Sequence, residues 1–285
     1  MKLSGVYTAL ITPFRSGEVD LDTYRILCDR QLDAGVHGLV PCGTTGETPT
    51  LSHAEWSGCI RTAVAVSGGS VPVIAGCGSN STAGTVAAIE EAIALGADAA
   101  LVVFPYYNKP NPAGLAAHVQ AAAAPGLPLV LYHVPGRTGQ RLPVSQLESL
   151  CRTPGVVALK EATGDVALGI DILQRLSDTD VSILSGDDFT FAPLTAMGGH
   201  GVISVVSNPA PALTTAWYDA ADTGDVATLR SLSGRMMPLV RYLFSSSNPV
   251  PVKAAMAAMG LCENEVRLPL APGDAPSAAL LAGLV

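Results

Sequence analysis

The sequence predicts a closed (β/α)8 barrel, the TIM-barrel architecture, with a helical extension at its C-terminal end. Eight short apolar runs, rich in Val, Ile and Leu and nearly unbroken, recur through the first three quarters of the chain. That is the pattern of strands covered on both faces. Segments of helical character separate them, and the first strand-to-strand steps are about thirty residues, the length of one βα unit. The length of 285 residues suits one large α/β barrel, although two average domains would also fit it.

In order, the runs are "GVYTALITPF" (5–14), "GLVPCG" (38–43), "VPVIAGCG" (71–78) and "AALVVFPYY" (99–107). "PLVLYHVP" (128–135), "VVALKEAT" (156–163), "SILSGDD" (182–188) and "GVISVVSN" (201–208) complete the set. Between them "STAGTVAAIEEAIALGA" and "PAGLAAHVQAAAA" read as helices, and "LSHAEW" places Ser52 three residues before Glu55, a capping box. After residue 208 the pattern is helical throughout, from "PALTTAWYDAADTG" to "PSAALLAGLV". The expected division is a barrel over 1–222 and a helical extension over 223–285. An open doubly wound sheet is the alternative. Against it, "GCGSNS" after the third run gives only G-x-G-x-x-S, and it falls mid-chain rather than at the first strand.

Composition narrows the function classes. Apolar residues make up 48% and charged ones 14%, leaving little charged surface, so subunit interfaces are expected to cover part of it. No run approaches the ~18 uninterrupted apolar residues that a membrane span requires. "MKLSGVYTALITPF" is a poor secretory signal, so a cytoplasmic location is expected. A net charge of −8 without a basic run argues against nucleic acid as a partner. The six cysteines form no C-x-x-C pair and read as free, mostly buried thiols. The five histidines show no metal-ligand spacing, which argues against a protein-bound metal.

Lys160, in "VVALKEAT", is the residue that a buried strand should avoid. Side chains of barrel strands alternate between interior and helix layer, so Val156, Ala158, Lys160 and Ala162 are expected to share the inner face. Active sites of this fold sit at the C-terminal strand ends, where Lys160 lies. Desolvation there favours the neutral amine, which can condense with a ketone to a Schiff base. The competing reading is a lysine paired with Glu161 and snorkelling to the rim. Tyr132 in "LYHVPGRTG" shares a face with Val130 and Val134, and its phenol could shuttle protons or merely pack. Arg137, just past that strand, could grip a carboxylate or stay solvated. "GTTGE" (43–47) could receive an anion on its amides, with Thr44 and Thr45 as further donors, or be an ordinary tight turn. "YYN" (106–108) exposes two more phenols suited to rim packing or a subunit contact.

Taken in order and spacing, "GTTGE", "PYYN", "LYHVPGRTG", "LKEATG", "LSGDD" and "GGHGVISV" resemble the dihydrodipicolinate synthase branch of the pyruvate-dependent class I aldolases. N-acetylneuraminate lyase belongs to the same superfamily. The resemblance runs from "GVYTALITPF" to "NPVPVKAAMAAMGL" and "RLPL", essentially the whole chain. It implies a (β/α)8 barrel with a C-terminal helical extension, assembled as a tetramer. It implies that Lys160 forms the Schiff base with pyruvate and that Tyr132, Thr44 and Tyr107 relay protons, with Tyr107 crossing from a neighbouring subunit. Pyruvate's carboxylate would sit on the Thr44–Thr45 turn, Arg137 would receive the carboxylate of aspartate semialdehyde, and Gly186 and Ile203 would line the pocket. The resemblance also implies no cofactor, because the covalent imine supplies what a metal otherwise would.

Two departures stand out. His133 stands where the family more often has Asn, and alternation places it outside the barrel. His53, Asn80 and Tyr106 match the family's lysine feedback site, but Gly84 replaces an acidic residue there and Trp56 a histidine, so weak or absent lysine inhibition is expected. Rival readings are an aldolase acting on a sialic or 2-keto-3-deoxy sugar acid, and a catalytically silent ligand-sensing barrel. Arg137 favours the synthase over the sugar aldolases, and the intact amine and hydroxyls disfavour the silent barrel.

Overall fold

Each apolar run supplies one parallel strand. In the computed structural model, which describes residues 1–282, the barrel strands are β1 (Gly5–Ala9), β2 (Gly38–Val40), β3 (Ile74–Gly76), β4 (Ala99–Val103), β5 (Leu129–His133), β6 (Val156–Glu161), β7 (Ser182–Ser185) and β8 (Gly201–Ser204). The last three residues of the expected extension, 283–285, lie outside the described residues. Pairing runs β2-β1-β8-β7-β6-β5-β4-β3. A bridge between Leu39 and Val73, flanked by hydrogen bonds of 3.0 Å from Leu39 N to Pro72 O and from Gly76 N to Pro41 O, joins the two ends. The sheet therefore closes into a barrel and the open doubly wound alternative falls.

A helix follows every strand: α1 (Leu21–Asp33), α2 (His53–Ser67), α3 (Thr82–Ala94), α4 (Pro112–Ala123), α5 (Val144–Cys151), α6 (Val166–Arg175), α7 (Phe191–Ala196) and α8 (Pro211–Asp222). Small polar residues start many of them. Asp20, Ser52, Ser81, Asn111 and Asp165 each accept a hydrogen bond from the third residue beyond, a cap worth about 1 kcal/mol each. The Ser52–Glu55 capping box forms in both directions. Beyond the barrel come α9 (Val226–Leu243), α10 (Val250–Ala258) and α11 (Ala278–Ala282).

The expectation of an unbroken helical tail fails over residues 261–277, which hold no helix. Pro269, Pro272 and Pro276 interrupt the helical backbone there, and the chain instead returns to the barrel through Arg267. The first run also ends differently from expectation. Phe14–Arg15 pairs antiparallel with Glu18–Val19 in a small hairpin outside the barrel, turning through Ser16 and Gly17 at positive φ.

Alternation along the strands divides the core in two. Tyr7, Val40, Ile74, Leu101, Val130 and Ile203 fill the barrel interior. Val6, Leu39, Val102, Leu131, Leu159 and Ile183 pack outward against the helices. Val156 is a correction. The β5/β6 register places Leu129 opposite Val156 but Val130 opposite Ala158, a bulge that inserts Val157. Val156 consequently packs in the outer layer while Ala158 faces in. All six cysteines are free and five are buried.

Candidate active site

The bulge leaves the C-terminal half of β6 in phase, so Lys160 points into the barrel close to its rim. It is 6% exposed and, among the described residues, makes no hydrogen bond or ion pair. The carboxylate of Glu161 is turned to the other face, where it accepts from the backbone N and hydroxyl of Thr163, both at 2.9 Å. The snorkelling pair with Glu161 is thus excluded by alternation. Burial pushes the Lys160 ammonium down to about 7; the buried Asp188 carboxylate opposes the shift and Arg137 adds to it. Asp188 is itself fixed by Ser204 Oγ (2.7 Å) and the amides of Val205 (2.8 Å) and Val206 (3.1 Å). Burial nevertheless raises its acid to about 6.

Tyr132 lies beside Lys160 across the β5/β6 pairing, with the lysine Nζ 4.2 Å from the centroid of its ring. Burial raises its phenol above the ordinary range, while Arg137 and a hydrogen bond with Thr44 pull it back. Thr44 belongs to the turn after β2, where Gly46 N donates to Gly43 O and Glu47 N to Thr44 O, each at 3.1 Å. This turn crosses the end of β3 so closely that a Cβ on Gly76 would overlap the carbonyl oxygen of Cys42. Thr44, Tyr106, Tyr132 and Arg137 line a cavity of about 420 Å³ above the barrel mouth. Thr45 is buried, its Oγ1 accepting from Asn248 Nδ2 at 2.9 Å. The arrangement sets a partly neutral amine beside a phenol that is hydrogen-bonded to the Thr44 hydroxyl, groups able to add to a carbonyl and to move protons.

The remaining sequence-selected residues divide. Arg137 sits on the cavity rim, where it donates to Asn248 O at 3.1 Å. Ile203 is buried inside the barrel. Gly186 adjoins the lysine: a Cβ there would come within 2.8 Å of Lys160 Cε and 2.7 Å of Ala162 Cβ. Gly186→Ala is expected to displace the amine and lower kcat/KM at least about 100-fold while circular dichroism stays unchanged; near-normal turnover by the variant would contradict this placement. Tyr107 is not brought to the site within one chain. It is 89% exposed with φ at 70°.

Comparison with known proteins decides the family. The model of the dihydrodipicolinate synthetase family matches residues 2–281. The chain belongs to this family. It is 47% identical over 274 residues to the 4-hydroxy-tetrahydrodipicolinate synthase of Maridesulfovibrio salexigens, covering 95% of this chain and 94% of that protein. The synthase of Thermomicrobium roseum is likewise 47% identical over 271 residues, covering 95% of this chain and 89% of that one. Dihydrodipicolinate synthase from Thermotoga maritima superimposes with a TM-score of 0.92 at 38% identity, over 100% of this chain and 97% of that one. The Acinetobacter baumannii enzyme complexed with pyruvate gives 0.92 at 38% identity, over 99% and 96%.

Within the dihydrodipicolinate synthetase frame, the two departures acquire a geometry. His133 is fully buried outside the barrel; its Nε2 accepts from Leu142 N at 3.2 Å. The ring proton must then sit on Nδ1, 3.3 Å from Glu161 Oε1. A second cleft, bordered by His53, Trp56, Ser79, Gly84 and Glu91, adjoins the first. Glu91 supplies a carboxylate there that the sequence reading did not foresee, but it is held by the Ser57 hydroxyl and by His53 Nε2, the latter at 3.2 Å. Four further residues of the site were also missed: Asp188, Glu47, Asn248 and Lys253. Their motifs, "LSGDD", "GTTGE" and "NPVPVK", were visible; their partners, remote in sequence, were not.

Proposed function

We infer that this chain condenses pyruvate with L-aspartate 4-semialdehyde to 4-hydroxy-tetrahydrodipicolinate, a lyase reaction of the class I aldolase type that leads towards diaminopimelate and lysine. One observation carries the mechanism: the Lys160 amine is buried, has no hydrogen bond or ion pair among the described residues, and lies 4.2 Å from the centroid of the Tyr132 ring, with burial pushing its ammonium down to about 7. The amine adds to the ketone of pyruvate and expels water as an imine. Loss of a methyl proton gives the enamine, whose carbon attacks the aldehyde to form the new C–C bond. The substrate's own amine then adds to the imine carbon and displaces Lys160 as the ring closes. Tyr132 and Thr44 pass protons through these steps, completed by Tyr107 of the partner subunit in a homotetramer built from dimers. The Thr44–Thr45 turn receives the carboxylate of pyruvate and Arg137 that of the aldehyde, with Gly186 and Ile203 shaping the pocket.

Among the described residues no helix is long and apolar enough to cross a membrane; separately, we propose a cytoplasmic location, as suits a biosynthetic enzyme of this family. We place the boundary between barrel and extension at residues 222 and 223. Borohydride trapping with pyruvate, followed by a panel of aldehydes, tests the reading. An adduct on Lys160 and turnover of aspartate semialdehyde alone are expected; comparable turnover with sugar aldehydes would assign the chain to the sugar-acid aldolases instead. Gly84 offers no carboxylate to an effector ammonium, and Glu91 is already engaged. Lysine at millimolar concentration is therefore expected to leave the initial rate essentially unchanged, and half-inhibition below a millimolar would contradict this.

A further inference from the structure

The turn that carries Thr44 and Thr45 does not hold its shape unaided. Cys42 and Glu47, which bracket it, have φ of 55° and 54°, the left-handed region that side-chain-bearing residues occupy only when their surroundings impose it. Part of the restraint is local, since Thr12 Oγ1 donates to Gly46 O at 2.8 Å and Thr48 Oγ1 to Gly43 O at 3.1 Å. The rest arrives from the other end of the chain. Glu47 accepts from Lys253 Nζ at 2.6 Å through Oε1 and from Arg267 N at 3.0 Å through Oε2. Lys253 is fully buried, its Nζ 3.9 Å from the centroid of the Phe14 ring, and the Arg267 guanidinium stands 4.4 Å from the same centroid.

Just before α10, Asn248 reaches two parts of the cavity wall. Its side-chain Nδ2 donates to Thr45 Oγ1 at 2.9 Å, and its carbonyl oxygen accepts from Arg137 Nη2 at 3.1 Å. Among the described residues its Oδ1 is buried without a protein partner. A buried ion pair is weak as a source of stability compared with apolar packing of the same volume, and an unsatisfied buried oxygen opposes stability. Both features are better explained by a need for position.

We propose that Asn248, anchored by the buried Lys253–Glu47 pair, is a positioning residue that sets the spacing between the Thr44–Thr45 turn and Arg137. The C-terminal segment thereby fixes how far the keto-acid pocket lies from the point that receives the second carboxylate. This rests on the reading of Lys160 as the Schiff-base residue and of Arg137 as the carboxylate ligand.

The test measures Asn248→Ala and the neutral pair Glu47→Gln/Lys253→Met alongside the parent. Asn248→Ala is expected to melt near the parent and to trap pyruvate on Lys160 when pyruvate saturates. Its KM for pyruvate and for the aldehyde should each rise about tenfold, the effect of one lost hydrogen bond, with kcat changed much less. The neutral pair, once folded, should raise both KM values in the same way. Unchanged KM values in folded Asn248→Ala would overturn the proposal, as would a lower melting temperature with KM intact, which would mark a structural role alone. Failure to trap pyruvate in the parent would instead remove the Schiff-base reading on which the proposal stands.

Discussion

Lys160→Arg is expected to abolish the condensation, with kcat reduced by at least about four orders of magnitude, the scale seen when a covalent nucleophile is removed. The guanidinium stays protonated at any working pH and is not a nucleophile, so neither the imine nor the enamine can form. Mass spectrometry after borohydride treatment with pyruvate should find no adduct on the variant. The loss is chemical rather than architectural, because the strand pairing of β6 with β5 and β7 uses backbone groups alone. Circular dichroism is expected to match the parent. Residual turnover within a hundredfold of the parent would mean that the amine is not the reacting group.

The second large effect is on stability. Lys253→Met leaves the Glu47 carboxylate buried opposite a thioether and is expected to cost about 3–5 kcal/mol, the usual penalty for removing one member of a buried pair. Burial pulls the Lys253 ammonium below its ordinary range, and Glu47 opposes that shift. The pair therefore persists only because both members are present. Adding Glu47→Gln removes the stranded charge, so the double variant should be more stable than Lys253→Met alone. Chemical denaturation of the three proteins measures this directly. A single variant within about 1 kcal/mol of the parent would place the pair among salt bridges of surface strength.

Much of the architecture was legible because barrel strands announce themselves as apolar runs at the βα period. Alternation within β5 correctly separates inward Tyr132 from outward His133. It failed at Val156, since nothing in a run of valines marks a bulge whose position depends on the neighbouring strand. The amine, phenol and turn hydroxyls were recognisable by residue type at strand ends. Asn248 and Lys253 were not, because their partners lie 203 and 206 residues away and no local pattern encodes such contacts. Glu91 escaped for a similar reason. It lies within a helix and acquires meaning only through its contacts with His53 and Ser57 across α2 and α3.

The central claim is a lysine held near neutrality by burial, and the pH dependence of imine formation tests it most directly. The reacting species is the free amine, so the rate of formation should be level above the pKa and fall about tenfold for each pH unit below it. With the Lys160 ammonium pushed down to about 7, rapid-quench borohydride trapping with pyruvate should show that bend close to neutral pH. A rate still rising steeply through pH 9, as an ordinary lysine near 10.4 would give, would contradict the account.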